Sequence, residues 1–303
     1  MRATGAPVHL GVCILPERPW GEAAPLWRRV EELGAAHAWV YDHLVWGGLP
    51  DASWHATMPT LAAAAGVTER IELGTFVASP NFRHPLLLAK DMVTLDDISG
   101  GRMLLGIGAG GDLDSGVLGD TWTRAERTRR FGELVPLLDR LLTEDHVDHR
   151  GEFFAVADAR LLPGCVQRPR VPFVIAANGP RAMRLAATYG QGWITTGPQQ
   201  GPAPAAPSDA AGRDAQVEQW WRGVAELAAR MDRLEAEHRS SEEPLRRYLS
   251  VDAAGPAALS SVTFAEDQLG RAAEAGFTDV VVHWPRSEPP YQGSVAVLEH
   301  LLR

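Results

Sequence analysis

The stretch Leu73–Gly111, LGTFVASPNFRHPLLLAKDMVTLDDISGGRMLLGIGAGG, decides the fold of this chain. It reads as a buried strand from Ile71 to Val77, a turn at Ser79, Pro80 and Asn81, and a helix from about His84 to Ile98. A second buried strand runs from Arg102 to Ile107, and a glycine mouth follows at Gly108, Gly110 and Gly111. Strand, helix and strand over so short a span make a βαβ unit, which implies a parallel sheet with a right-handed crossover. Pro85 suits the first helical turn, where its missing N–H is no loss. Gly100 and Gly101 end the helix where a left-handed residue is wanted. Folds of this kind bind ligands at the C-terminal ends of their strands.

The same alternation extends outward. Upstream lie a strand from Val8 to Ile14, a helix from Glu22 to Leu33, a strand from His37 to Tyr41 and a helix from Met58 to Ala65. Downstream, Arg124 to Leu142 is amphipathic, with Phe131, Leu134, Leu138 and Leu141 at helical spacing. His146 to Val156 alternates and turns at Arg150 and Gly151, as a hairpin does. A fifth strand from Val171 to Ala177 leads through Asn178–Arg181 into a helix ending near Tyr189, and a sixth strand spans Trp193 to Thr196. Gly197 to Gly212 is rich in proline, alanine and glycine, and is expected to be a flexible loop or lid. A long helix from Asp214 to His238, a strand from Tyr248 to Val251, a helix from Phe264 to Ala275 and an eighth strand from Asp279 to His283 follow. Ser294 to Leu302 closes the chain. Eight strands alternating with helices predict an α/β fold, a (β/α)8 TIM barrel with insertions. No repeat and no linker divides residues 1–303, so a single domain is expected.

Composition narrows the function. Apolar residues at 45% and charged residues at 22% are ordinary for a soluble globular protein. A net charge of −9 argues against a nucleic-acid-binding surface. The sequence opens MRATGAPVHL, without the apolar core of a secretory signal. No apolar run approaches the ~18 residues of a membrane span, so a cytoplasmic protein with no membrane partner is expected. Cys13 and Cys165 are isolated and read as small buried hydrophobes. His146 and His149 are spaced like a ligand pair, but no third histidine or cysteine joins them, so no metal is expected.

Strand ends supply the candidate site. The clearest physical case is Asn178, Gly179, Pro180 and Arg181, where a strand passes through a glycine turn into a helix. Such a turn presents unpaired N–H groups and the positive end of the helix dipole, which together suit a phosphate. Pro180 fits the first turn and Arg181 adds a charged fork. Thr195, at the end of the sixth strand, is a further hydroxyl for the same phosphate.

The run LGTxVxxPxxRHPxxLAKxxxTLDxxSGGRxxLGxGAG resembles the luciferase-like flavin oxidoreductases, and in particular the branch that uses the deazaflavin coenzyme F420. That resemblance implies an enzyme moving a hydride between coenzyme F420 and a small organic substrate. It assigns Asp42 and His43 to the mouth beside the reactive ring carbon, where an imidazole can exchange a proton near neutral pH. It implies a bulged strand with a cis Phe76–Val77 bond behind the ring. Ser79, Gly108 and Gly110, which match its turn and glycine mouth, go to the cofactor with Asn178, Gly179, Pro180, Arg181 and Thr195. Trp46, Asp112 and His283 fall to the substrate pocket, although Trp46 as loop packing and His283 packed under Trp284 are equally compatible with the sequence.

The chain departs from the family's glucose-6-phosphate dehydrogenases. Those carry an acid where this chain has Gly111, and they hold the sugar phosphate with lysines; here Lys90 is the only lysine. A substrate other than glucose 6-phosphate is therefore expected. Two alternatives share the scaffold: an FMN-dependent monooxygenase using O2 with a separate cofactor reductase, and a non-catalytic flavin- or deazaflavin-binding protein. Family members often form homodimers, but no helix face here singles out an interface.

Overall fold

The computed structural model describes residues 8–198 and 210–303. In chain order the first elements are β1 (His9–Cys13), α1 (Trp20–Glu32), β2 (His37–Val40), α2 (Thr57–Ala65), β3 (Glu72–Thr75), α3 (Pro85–Ser99) and β4 (Met103–Ile107). Next come α4 (Leu113–Val117), α5 (Arg124–Thr143), β5 (Val147–Arg150), β6 (Ala155–Ala159), β7 (Phe173–Ala176), α6 (Pro180–Tyr189) and β8 (Gly192–Thr195). The last are α7 (Ala210–His238), β9 (Arg246–Ser250), α8 (Val262–Glu274), β10 (Asp279–His283) and α9 (Val295–Leu301).

Eight of the strands close into a parallel barrel in the order β1-β10-β9-β8-β7-β4-β3-β2. The seam is β1 against β10, in register from His9 opposite Asp279 to Cys13 opposite His283. This is the TIM barrel the alternation predicts, with β5 and β6 as a separate antiparallel hairpin. Glu133 clips that hairpin to α5, accepting from His149 at 2.9 Å and from the Phe153 and Phe154 amides at 3.0 and 2.9 Å. His146 is paired with Asp158, so the two hairpin histidines face carboxylates rather than each other.

Side chains alternate along each strand and sort into two cores. One lies between barrel and helices and includes Val12, Trp27, Leu61, Leu105, Phe131 and Val282. The other fills the barrel and rises to its mouth: Cys13, Trp39, Tyr41, Phe76, Leu104, Ile194, Tyr248 and Val281, with Trp46, Trp54 and Tyr291 packed on top. A cluster of aromatic rings therefore forms the floor of any pocket at the strand ends.

Gly106 sets the spacing of β3 and β4. A Cβ there would lie 1.9 Å from the Thr75 carbonyl oxygen, and Thr75 Oγ1 donates to the Gly106 carbonyl at 2.6 Å. Gly106→Ala is expected to cost about 1–3 kcal/mol as an overpacked core does. A urea melt that leaves the midpoint unchanged would refute this.

The long helix differs from expectation. It begins at Ala210, inside the stretch read as a loop, because Ala210, Ala211 and Gly212 continue its first turn. The rest of that proline-rich stretch, residues 199–209, lies outside the described residues. Among the described residues no helix is long and apolar enough to cross a membrane.

Candidate active site

The strand ends gather most of the expected residues, with several roles redistributed. At the end of β3 the Phe76–Val77 peptide is cis, as the family resemblance implies. The chain rejoins β4 at a single bridge, Ala78 opposite Ile107. Beyond it Ser79 and Asn81 are buried, and Asn81 Nδ2 donates to the Gly111 carbonyl at 2.5 Å. Ser79 Oγ and Asn81 Oδ1 have no hydrogen-bond partner. Gly110, at φ +67°, lies against them, since a Cβ there would be 2.6 Å from Ser79 Oγ. Buried polar atoms left unpaired are costly and rare, so two of them beside a glycine mouth fit a site built to receive a polar ligand.

At the end of β2 the two expected catalytic residues separate. His43 Nδ1 lies 2.7 Å from Asp114 Oδ2, whose other oxygen accepts the Leu44 amide at 2.7 Å. A carboxylate there fixes Nδ1–H and leaves Nε2 as the basic nitrogen, a proton acceptor on a half-exposed ring. Asp42 does not share that work. It is buried and held in a two-pronged ion pair by Arg83, at 2.5 Å through both nitrogens. Burial alone would lower the Arg83 guanidinium, but the Asp42 carboxylate outweighs it and raises it. Asp42 thus anchors the β2 end through Arg83, whereas the resemblance puts it with His43 beside the reactive ring carbon. Asp112 is exposed at the start of α4, and Asp114 two residues on is the buried carboxylate.

At the ends of β7 and β8 the turn into α6 forms as expected, with Gly179 as N-cap and Pro180 at the first position. No side chain caps it, so first-turn amides face outward beside the exposed Arg181. The polar side chains behind them are spent on one another. Thr195 Oγ1 donates to Asn178 Oδ1 at 2.5 Å and accepts the Gly197 amide at 3.0 Å, while Asn178 Nδ2 donates to the Gly197 carbonyl at 2.7 Å. Asn178 and Thr195 are therefore tied to each other and to Gly197, and the groups left facing outward at this turn are the α6 backbone and Arg181.

At the end of β10 His283 is buried in a chain that the sequence did not reveal. Its Nδ1 lies 2.7 Å from Asp252 Oδ2, and its Nε2 lies 2.8 Å from Tyr41 Oη. Tyr41 Oη is 2.9 Å from Tyr291 Oη. The Tyr291 ring, not Trp284, stacks on His283, with centroids 3.5 Å apart. Tyr41 stacks in turn on Phe76, at 5.8 Å and 5°. Trp46 packs edge-on to Tyr41 and stacks between Trp54 and Tyr291, so its ring is part of the mouth's aromatic wall. Burial pushes the Tyr291 phenol up to about 12 and the Tyr41 phenol well above its ordinary range. Arg83, Tyr41, Asp252 and Tyr291 are mouth residues that sequence reasoning missed, and only Arg83 left a local signal, in the RHP run; Asp114 stands among the acids that follow the glycine mouth in the sequence.

Fold and site together give a barrel with a cis peptide at the end of β3, an uncapped helix start at α6 and a carboxylate-oriented histidine at one mouth. The luciferase-like monooxygenase family model matches residues 4–242, and the chain belongs to that family. An F420-dependent glucose-6-phosphate dehydrogenase from Microbacterium testaceum is 36% identical over 173 residues, covering 55% of this chain and 49% of that protein. The chain spans about half the length of the curated relatives it matches. Among solved structures, the coenzyme F420-dependent tetrahydromethanopterin reductase from Methanopyrus kandleri superposes with a TM-score of 0.72 at 19% identity, over 98% of this chain and 96% of that one. An F420-dependent secondary alcohol dehydrogenase, in complex with an F420-acetone adduct, superposes at 0.76 and 16% identity, over 98% of this chain and all of the other. At those identities the structural likeness speaks for the fold.

Proposed function

We propose that this chain is an F420-dependent oxidoreductase that moves a hydride between the deazaflavin and a small organic substrate other than glucose 6-phosphate. The observation that carries the reading is the meeting, at one barrel mouth, of the cis Phe76–Val77 bulge, the unpaired Ser79 and Asn81 atoms and the Asp114-oriented His43. When bound, the deazaflavin supplies a ring carbon that accepts or donates hydride. The protein's share is to back the ring at Phe76 and Val77, to take the polar chain at Ser79 and Asn81 under Gly108 and Gly110, and to hold the phosphate at the α6 amides with Arg181. His43 Nε2 exchanges the proton at the ring.

Sugar phosphates fit this mouth poorly. Its walls are Tyr41, Trp46, Trp54, Phe76 and Tyr291, and Lys90 is on α3, donating to the Leu162 carbonyl at 3.1 Å. Arg83 is committed to Asp42, and Arg286 to Glu17. Aromatic walls, with Arg83 and Arg286 paired to acids, support an uncharged, apolar substrate.

Parallel fluorescence titrations with coenzyme F420 and FMN test the reading. Binding of F420 alone is the expected result, and Arg181→Ala should weaken it about tenfold through loss of one charge-assisted contact. Binding of FMN alone would move the chain to the O2-using monooxygenases with their separate reductase. Binding without turnover of any substrate would leave a cofactor carrier, and binding of neither would overturn the phosphate site.

A further inference from the structure

Aromatic floor and buried acid-base groups meet at the ends of β1, β2 and β10, on the part of the mouth that the cofactor assignments leave unused. Two of the groups, Asp252 and His283, and the Tyr291 loop lie beyond the family-matched residues 4–242. Hydrogen-bond donors and acceptors leave one arrangement of protons in the chain they form. Asp252 Oδ2 accepts both the His283 amide, at 2.8 Å, and its Nδ1–H, at 2.7 Å. Nε2 is then an acceptor, so Tyr41 donates to it and Tyr291 donates to Tyr41. The chain runs from a half-buried phenol at the mouth to an imidazole backed by a buried carboxylate. It is oriented to take a proton in, because the charge that would arise on His283 lies against Asp252.

We infer that Tyr291, Tyr41, His283 and Asp252 form a proton relay that deprotonates the hydroxyl of an uncharged, apolar alcohol as its carbon gives up hydride. The inference rests on the proposed F420 reading and names the substrate class of that same site. A bound oxidised deazaflavin would take the substrate's C–H electron pair as hydride, while the O–H proton passes to Tyr291 Oη. The Tyr291 proton moves to Tyr41, the Tyr41 proton moves to His283 Nε2, and the C–O bond becomes a carbonyl. His283 is left as an imidazolium beside Asp252 and passes its proton back out through Tyr41 and Tyr291 once the product has left. His43, whose Nδ1–H is held by Asp114, stands outside this relay, so the two histidines serve different partners. Tyr291 is the group that touches substrate; Tyr41, His283 and Asp252 act through it.

Its surroundings suit the task. Tyr41 sits on Phe76, whose peptide backs the ring position, so the outer phenols lie between that position and Trp46. The Tyr291 loop is fastened from within: the Arg286 amide donates to the Tyr291 carbonyl at 3.0 Å, and its side chain reaches Glu17 and the carbonyls of Glu288, Pro289 and Pro290. The titratable groups around His283 are Asp252 after β9, Tyr41 at the end of β2, Tyr291 on the loop after β10, and Cys13 opposite it in β1. Burial raises the Cys13 thiol well above its ordinary range, so it stays neutral beside the relay.

Nitrogen-15 imidazole spectra of the cofactor-free protein give the first test, with Nδ1–H as the expected His283 tautomer. An Nε2–H tautomer reverses the chain and overturns the relay. The second test follows reduction of oxidised F420 by cyclohexanol and related neutral secondary alcohols. Tyr41→Phe and Asp252→Asn are expected to lower kcat at least 100-fold while F420 affinity stays within threefold. Because Asp252→Asn removes the charge that favours the imidazolium, the acid limb of its kcat profile should move to lower pH. Loss below threefold in kcat, an unmoved acid limb, or F420 binding without oxidation of any alcohol overturns the relay. Failure of the wild-type chain to bind F420 overturns the cofactor reading instead.

Discussion

Asp279→Ala should destabilise the protein by about 3–5 kcal/mol, as breaking one side of a buried ion pair does. Asp279 is fully buried at the bottom of β10, beneath the aromatic cluster. Its Oδ1 accepts from Arg246 at 2.7 Å and lies 3.2 Å from His37 Nε2, while Thr278 donates to Oδ2 at 2.6 Å. His37 is itself fixed, because Trp39 donates to its Nδ1 at 2.6 Å. Arg246 reaches across to Glu72 at 2.9 Å, so one network spans β2, β3, β9 and β10 at the end opposite the mouth. Burial alone would push the Asp279 carboxyl up, but hydrogen bonds from His37 and Arg246 hold it well below the usual carboxylate range. The sign follows directly. A carboxyl depressed in the folded state adds stability that is complete above its unfolded pKa of about 3.9 and is lost as pH falls through the lower folded value. The gap between wild type and Asp279→Ala in urea melts should therefore be widest at neutral pH and narrow below about pH 4. A gap that is the same at pH 3 and pH 7 would remove the carboxylate from the account.

His43→Ala should lower kcat by about 10²–10⁴-fold, the range for loss of a positioned acid-base group. F420 affinity should stay nearly unchanged, because the proposed F420 reading puts the phosphate and the polar chain at other strand ends. Asp114→Ala should produce a smaller loss of the same kind: it frees the ring to turn and removes the acceptor that fixes Nδ1–H. Added imidazole should restore part of the His43→Ala rate and none of the Asp114→Ala rate. Equal losses of affinity and kcat in His43→Ala would make it a binding residue instead.

The barrel was legible because its signals are local. Runs such as DVVVH and VPFVIAA, punctuated by glycine and proline, announce buried strands whatever they pair with. The α6 helix start was readable because its motif residues sit next to each other in the chain, whereas Phe76 and Val77 read as core residues and their cis bond came only with the family resemblance. What pairs with what at the mouth was not. Asp42 and His43 are neighbours in sequence, yet consecutive residues beyond a strand point apart, and one went to Arg83 and the other to Asp114. Asn178 and Thr195 each looked available for a phosphate, and only the β7–β8 pairing brings them to each other. The His283 chain joins residues 242 and 250 positions apart, and nothing periodic marks such contacts.

Closure of β1 on β10 carries a consequence for how this protein is made. Synthesis delivers β1 well before its partner across the seam, β10, and Tyr41 well before Tyr291. Until then the sheet is open, and β1 offers an unpaired apolar edge that a neighbouring nascent chain could match. The contacts of Tyr41 with His283 and Tyr291 cannot form until β10 and the loop after it have been made. Cells overproducing this chain should therefore gain more soluble product from slower translation or added holdase chaperones than from any change confined to the early strands.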